Sequence, residues 1–253
     1  MKRNLLLPLA LTALLATAAG CGTSTVAHQP TPPTAPARAT TSPAPPPVAP
    51  QVNSECAGLN GTVRPDQTCH VQSATSSYKI EMSFPLDYPD LRAVTDFLKQ
   101  DRDEFLDWVT NFGPSERRGR PYQYTVTAKA FRSGTRESGT QSLVLEIDND
   151  TGSAHEGHPN TTFQAFNFDL GKHAPITYYT LFKPGTQPLE VLNPIVRHKF
   201  NAPAAELTEK AYRNFALTDE AVIFFFGQDQ VVPDNNGPKK VIVPRDELAS
   251  LLA

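Results

Sequence analysis

Three groupings in this sequence bring together side chains that can do chemistry. Ser76-Ser77-Tyr78-Lys79 has the S-x-x-K spacing of a serine nucleophile activated by lysine. That chemistry needs the serine at a helix start, with the lysine one turn away. Here Tyr78 to Phe84 alternates apolar and polar as a strand does, and no S-D-N or K-T-G follows. His155-Glu156-Gly157-His158 sets two imidazoles and a carboxylate within four residues. A helical metal pair needs histidines four apart; these are three apart in a Gly- and Pro-bounded loop. His158 is therefore expected to bond backbone and fix the turn before Asn160, and no metal or cofactor is expected. A hydrolase assembled from separate elements needs a serine, a histidine and an acid. Ser142, Ser153, His155, His158 and Asp169 lie close enough in sequence to be considered, and Ser142, Ser153 and His158 are the candidates for ester hydrolysis. The G-x-S-x-G elbow that exposes a serine beside an oxyanion hole does not occur, and Ser142 also reads as a plain strand residue.

Cys56 and Cys69 bound CAGLNGTVRPDQTC, a loop of Gly and Asn character, and in an exported chain such a pair reads as a disulfide. Closing about fourteen residues contributes roughly 3 kcal/mol in the chain-entropy picture. A zinc site would need two more ligands, and His70 alone does not supply them. Phe163, Phe166, Phe168, Tyr178, Tyr179 and Phe182 form a dense aromatic set, most of it expected in the core. If Tyr178 or Tyr179 lies exposed near His158, rings and hydrogen-bonding groups together suit a peptide or glycan surface.

The elements that position these residues occupy the last four-fifths of the chain. Residues 1–20 carry Lys2 and Arg3, an apolar run from Leu5 to Ala19 and small residues before Cys21. That is a signal peptide, too short for a membrane span. Small residues directly before Cys21 resemble a bacterial lipobox, with Ala18 where the motif most often has Leu, so Cys21 is expected to be fatty-acylated as the mature N-terminus. Residues 21–52 hold nine prolines and one charge, Arg38. Such a stretch cannot bury enough apolar surface to offset its ordering entropy and is expected to be a disordered stalk. At about 3 Å per residue it could hold a domain up to roughly 90 Å from a membrane.

Residues 53–253 are expected to be one disulfide-bonded domain. Cys69 to Ser73 and Tyr78 to Phe84 read as short strands, and Asp90 to Phe112 as an amphipathic helix with Pro89 at its start. Tyr122 to Arg132 and Thr140 to Asn149 read as a hairpin, Asn160 to Leu170 as a strand, and Pro188 to Phe200 as a helix. Asn214 to Leu217, Ala221 to Phe226 and Lys240 to Val243 read as a meander whose middle strand, apolar on both faces, is covered on both sides. Asp246 to Leu252 would close the chain as a helix. The sum is an α+β fold: antiparallel or mixed sheet packed with two or three helices, six to eight strands and no βαβ alternation.

The formal net charge is −3 and becomes −5 once the leader's two positive charges leave; with no basic block, nucleic acid is not expected as a partner. CAGLNGTVRPDQTCHVQ, FPLDYPD, HPNTTFQAFNFDL, PITYYTLF, NFALTDEAVIFFF and VIVPRDELASLLA, in this order, resemble the mycobacterial secreted immunogenic protein family. That family shares its domain with the ectodomains of lysozyme-sensing anti-sigma factors. The resemblance implies an α+β domain, a bridge between Cys56 and Cys69, and a protein partner such as lysozyme; some relatives are described as esterases. The expectation is a lipid-anchored extracytoplasmic lipoprotein that binds a host or envelope ligand through His158, Tyr178 and Tyr179, without catalysis. The other reading is a cell-envelope esterase acting on short acyl esters.

Overall fold

The structure, a computed structural model, describes residues 49–113, 120–151, 159–202, 207–232 and 237–253. These residues form an α+β domain of two sheets with helices on their outer faces. In chain order the elements are α1 (Ala49–Gly58), β1 (Thr62–Val63), β2 (Thr68–Ala74), β3 (Tyr78–Pro85), α2 (Leu91–Phe112), β4 (Tyr122–Ser133), β5 (Thr140–Asp150), β6 (Asn160–Asp169) and β7 (Ala174–Pro175). They continue with α3 (Tyr178–Leu181), α4 (Pro188–Phe200), a 3-10 turn (Glu209–Tyr212), β8 (Phe215–Leu217), β9 (Ala221–Phe226), β10 (Lys239–Pro244) and α5 (Arg245–Leu248). Strands β1 to β7 make a seven-stranded sheet in sequence order, and β10-β9-β8 make a second sheet.

Strict alternation decides which face each strand buries. Ile80, Met82 and Phe84 of β3 join Val126 of β4 and Leu143, Leu145 and Ile147 of β5 beneath Val94, Leu98, Phe105 and Val109 of α2. On the opposite face of β5 and β6, Val144 packs with Phe131, Phe163 and Ala165 against Ala216, Ile223 and Phe225 of the small sheet. The other side of β9, with Val222, Phe224 and Phe226, is covered by Leu192 and Val196 of α4 and by Tyr212. The middle strand is thus covered on both faces, as its unbroken apolar run requires.

Several expectations are corrected. All neighbouring strands are antiparallel except β3 and β4, which run parallel with α2 between them, so one βαβ unit is present. The 22-residue helix is long enough to carry the chain back to the end of the sheet at which β3 began, and alternation carries no sign of strand direction. Helix α2 begins at Leu91, one residue later than the expected Asp90, because the Asp90 carboxylate accepts the Ala93 amide (3.4 Å) and makes Asp90 the cap. Its apolar stripe also ends early: Phe112 is exposed and stacks on Trp108.

Cys56 lies in α1 rather than in a loop, joined to Cys69 on β2 by the expected disulfide. Gly61 passes so close to this bridge that a Cβ there would meet both sulfurs at 2.7 and 2.8 Å. The closing helix stops at Leu248, because Leu251 and Leu252 leave it to pair with the chain after α3: the Lys183 amide donates to Leu251 O (2.7 Å), and Phe182 bridges Leu252. Ten strands and five α-helices among the described residues exceed the expected numbers because β1, β7 and α3, at two to four residues, are too short for periodicity to register, and α1 forms where a loop was expected around Cys56.

Candidate functional site

Ser142 lies on β5 between the two sheets, fully buried at 0% exposure. Its hydroxyl accepts the Leu217 amide of β8 at 3.0 Å. A strand residue sealed under a second sheet has no approach for a substrate, and its oxygen is already used to join the sheets. Ser153, His155, Glu156 and His158 lie outside the described residues, as does Cys21. Asp169 ends β6, where the backbone amide of Lys172 donates to its carboxylate (2.9 Å) and holds it below the usual carboxylate range. Lys79, of the S-x-x-K grouping, is on β3 and ion-pairs with Glu81 at 2.9 Å.

The two tyrosines separate. Tyr178 is 4% exposed, and burial pushes its phenol up to about 12. Tyr179, its neighbour on α3, is 60% exposed, receives a hydrogen bond from the Arg213 guanidinium (3.2 Å) and has that cation 5.8 Å from its ring centre. Arg213 in turn borders an open cavity of about 500 Å³ shared with Gln164, Lys210, Asn214 and Gln230. An aromatic ring capped by a cation thus stands near polar amides on this surface.

One serine-histidine contact escaped the sequence reading. On the outer face of β2 and β3, His70 Nε2 lies 3.3 Å from Ser83 Oγ and 3.1 Å from Thr68 Oγ1. The Thr68 hydroxyl lies 2.5 Å from the Asp66 carboxylate, which that bond holds low. The signal was available: residues 68 and 70 share a face, and register opposes His70 to Ser83. Direction of donation decides what this chain can do. Thr68 gives its hydrogen to Asp66, so its oxygen accepts from His70, and Nε2 must then carry a proton. A protonated Nε2 cannot take the proton of Ser83, as a hydrolytic base must. The set is a hydrogen-bond relay across a strand pair, and both hydroxyls compete for one ring nitrogen where a triad would use two.

A further opening lies along β10. A groove of about 640 Å³ runs between α4, which supplies Pro194, Ile195, His198 and Lys199, and β10, which supplies Lys240, Val241 and Ile242. Glu247 closes one side. Pro188 at the first position and Pro194 inside α4 leave backbone groups free of the helix ladder, and the chain ends this helix at Asn201 in the left-handed conformation. Among the described residues no group of three or more metal-ligating side chains comes together, and no helix is long and apolar enough to cross a membrane.

Fold and surface together define a two-sheet α+β domain with an open, apolar and cationic groove along a strand edge. Over 205 residues the chain is 40% identical to esterase Rv3036c of Mycobacterium tuberculosis, covering 78% of this chain and 88% of that one. It is 37% identical over 207 residues, with the same coverage, to immunogenic protein MPB64 of Mycobacterium bovis and to MPT64 of M. tuberculosis. The chain belongs to the family of these mycobacterial proteins. Residues 179–246 also match DUF3298, described as a protein family of unknown function. A crystal structure of a DUF3298 family protein from Pseudomonas aeruginosa PAO1 is similar with a TM-score of 0.47 at 16% identity, over 76% of this chain and 96% of that one.

Proposed function

We propose that this chain is an extracytoplasmic, lipid-anchored domain that binds a macromolecular ligand without catalysing a reaction on it. The observation that carries the reading is the groove beside β10, whose volume and mixed apolar and cationic lining suit an extended ligand. The buried disulfide is in keeping with an oxidising compartment, and the leader ending at Cys21 with the Pro-rich stalk supplies a route to the envelope. Kinship with proteins named as immunogenic fits a molecule presented outside the cell. The resemblance to lysozyme-sensing ectodomains makes lysozyme the first protein to try, by biolayer interferometry on the immobilised full chain.

A second reading rests on one specific observation, that a relative 40% identical is named an esterase. It assigns the chain hydrolysis of short acyl esters, with Ser153 and His158 as the remaining candidates, since the Ser142 oxygen is used inside the fold. Hydrolysis of p-nitrophenyl butyrate by the full chain separates the two. Activity no greater than buffer, unchanged in Ser142→Ala, Ser153→Ala, His158→Ala and Ser83→Ala, is the expected result. Turnover that disappears with one serine and with one histidine would replace the binding reading by the hydrolase.

A further inference from the structure

Among the described residues the small sheet has one open edge, and the hydrogen-bond directions say which groups stand on it. In an antiparallel ladder, backbone groups point alternately to the two neighbouring strands. Phe225 N–H donates to Asn214 O beside β8, and Thr218 N–H donates to Ala221 O, so Ala221, Ile223 and Phe225 turn their backbone groups toward β8. Phe224 and Val222 therefore turn theirs toward β10, where they meet Val241 and Val243. Lys240 and Ile242, the intervening residues of β10, must point N–H and C=O outward. No described residue pairs with them, since β10 is the last strand of its sheet.

Natural sheets usually blunt such an edge, because an open row of donors and acceptors recruits another strand. Here the edge carries Ile242, 58% exposed, and lies beside α4 with the groove between them. A free strand edge flanked by a helix is the geometry in which peptides are taken up by strand addition, with backbone bonds for affinity and the groove for side chains. Six residues of β10, at about 3.3 Å each, offer roughly 20 Å of edge.

Charge selects the occupant. Lys199 and Lys240 are exposed in the groove without an ion-pair partner among the described residues, and His198 lines it with them, Glu247 being the one acidic residue of that lining. A cationic groove on a chain of net charge −3 is a local reversal that steers anionic partners. A second copy would bring the same lysines to this edge. The chain's own 22–52 stretch, whose single charge is the basic Arg38, lacks the acidity. We propose that the groove between α4 and β10 binds an acidic, extended peptide segment of a partner protein by strand addition to Lys240–Ile242, with an aliphatic side chain seated against Ile195 and Val241. This inference rests on the binding reading above and names its ligand class.

The test uses the full chain and fluorescein-labelled peptides of about eight residues, a length matched to the edge: alternating Glu and Val, alternating Lys and Val, and Gly-Ser. Anisotropy titration is expected to show the acidic peptide bound at least about tenfold more tightly than the other two, and more weakly as salt rises. Lys199→Glu with Lys240→Glu should invert the preference. Ile242→Pro removes one outward N–H while leaving the β9 ladder whole, a position where an edge strand tolerates proline; binding should be lost with circular dichroism and Tm unchanged. Ile242→Ser, which keeps that N–H, should retain a measurable part of the affinity and covers the case in which the proline variant fails to fold. Equal binding of acidic and basic peptides, or binding unmoved by the charge reversal, overturns the proposal. So does sedimentation showing a dimer that Ile242→Pro dissociates, since the occupant would then be a second copy. Capture of lysozyme or another protein that survives Ile242→Pro overturns this inference and leaves the binding reading standing; serine- and histidine-dependent ester hydrolysis removes that reading itself.

Discussion

Asp101, on α2, accepts the phenol hydrogen of Tyr124 at 2.5 Å, and the pair sits where helix and sheet meet. Burial raises the Asp101 carboxyl above its ordinary value, and the Tyr124 bond only partly offsets this. The fold therefore retains this proton to higher pH than the unfolded chain does. Its contribution to stability is complete below the ordinary carboxylate value and is lost as pH rises through the raised one. Asp101→Asn keeps an acceptor for Tyr124 without the charge. Its Tm should exceed that of the parent at pH 7, with the difference shrinking toward zero near pH 3; a lower Tm at pH 7 would refute this account. Gly61 poses a purely steric case. A methyl group there meets Cys69 Sγ at 2.7 Å and Cys56 Sγ at 2.8 Å, atoms fixed by their bond to each other. Gly61→Ala should cost about 2 kcal/mol in urea denaturation. The cost should fall when both cysteines are alanine, since the clash then has no bridge to strain, and a double-mutant cycle reads that difference directly.

At the scale of elements, the sheets are joined through the edge of β6 that β7 leaves uncovered. Asn214 imitates a neighbouring strand there: its Oδ1 accepts the Ala165 amide (3.0 Å) and its Nδ2 donates to Phe163 O (2.7 Å). Asn167 Nδ2 donates to Phe215 O (2.9 Å), the Gln228 amide to Thr161 O (2.8 Å), and Ser142 receives Leu217 N–H from β8. Asn214→Ala strands one backbone donor and one acceptor in a partly buried seam and should destabilise by about 2 to 3 kcal/mol. Ser142→Ala strands one donor and should cost about 1 to 2 kcal/mol. Equilibrium denaturation measures both; a Ser142→Ala protein of parental stability would return that serine to the catalytic candidates. The elements so joined were legible because β3, β5, β9 and α4 each repeat their apolar pattern over a full length. What lay hidden was relational. The parallel pairing of β3 with β4, the relay of Asp66, Thr68, His70 and Ser83, and the outward backbone of Lys240 and Ile242 depend on which strands become neighbours. A single chain's periodicity does not encode that. The binding candidate Tyr179 was legible as an aromatic; its partner Arg213 lies 34 residues away and only the fold brings them together.

For the whole molecule, the groove matters only if the domain is held where its ligand is. In the proposed function, residues 1–20 serve as a leader, Cys21 as the attachment point and the stretch after it, with nine prolines and a single charge, as the tether. Two acyl chains or more on Cys21 would make the attachment stable, since one chain alone binds membranes only marginally. Tethering within about 90 Å of a surface would raise the effective concentration of the groove toward envelope partners, so the modest affinity proposed for peptide strand addition would be sufficient. The prediction separates anchor from fold. The parent chain should partition into the detergent phase of Triton X-114 and sediment with membranes. Cys21→Ala should move to the aqueous phase while keeping its Tm and its affinity for the acidic peptide, because no described element of the domain depends on Cys21. A Cys21→Ala chain that stays in the detergent phase would show attachment through something other than that cysteine. The tether argument would then fall even if the groove binds its peptide as expected.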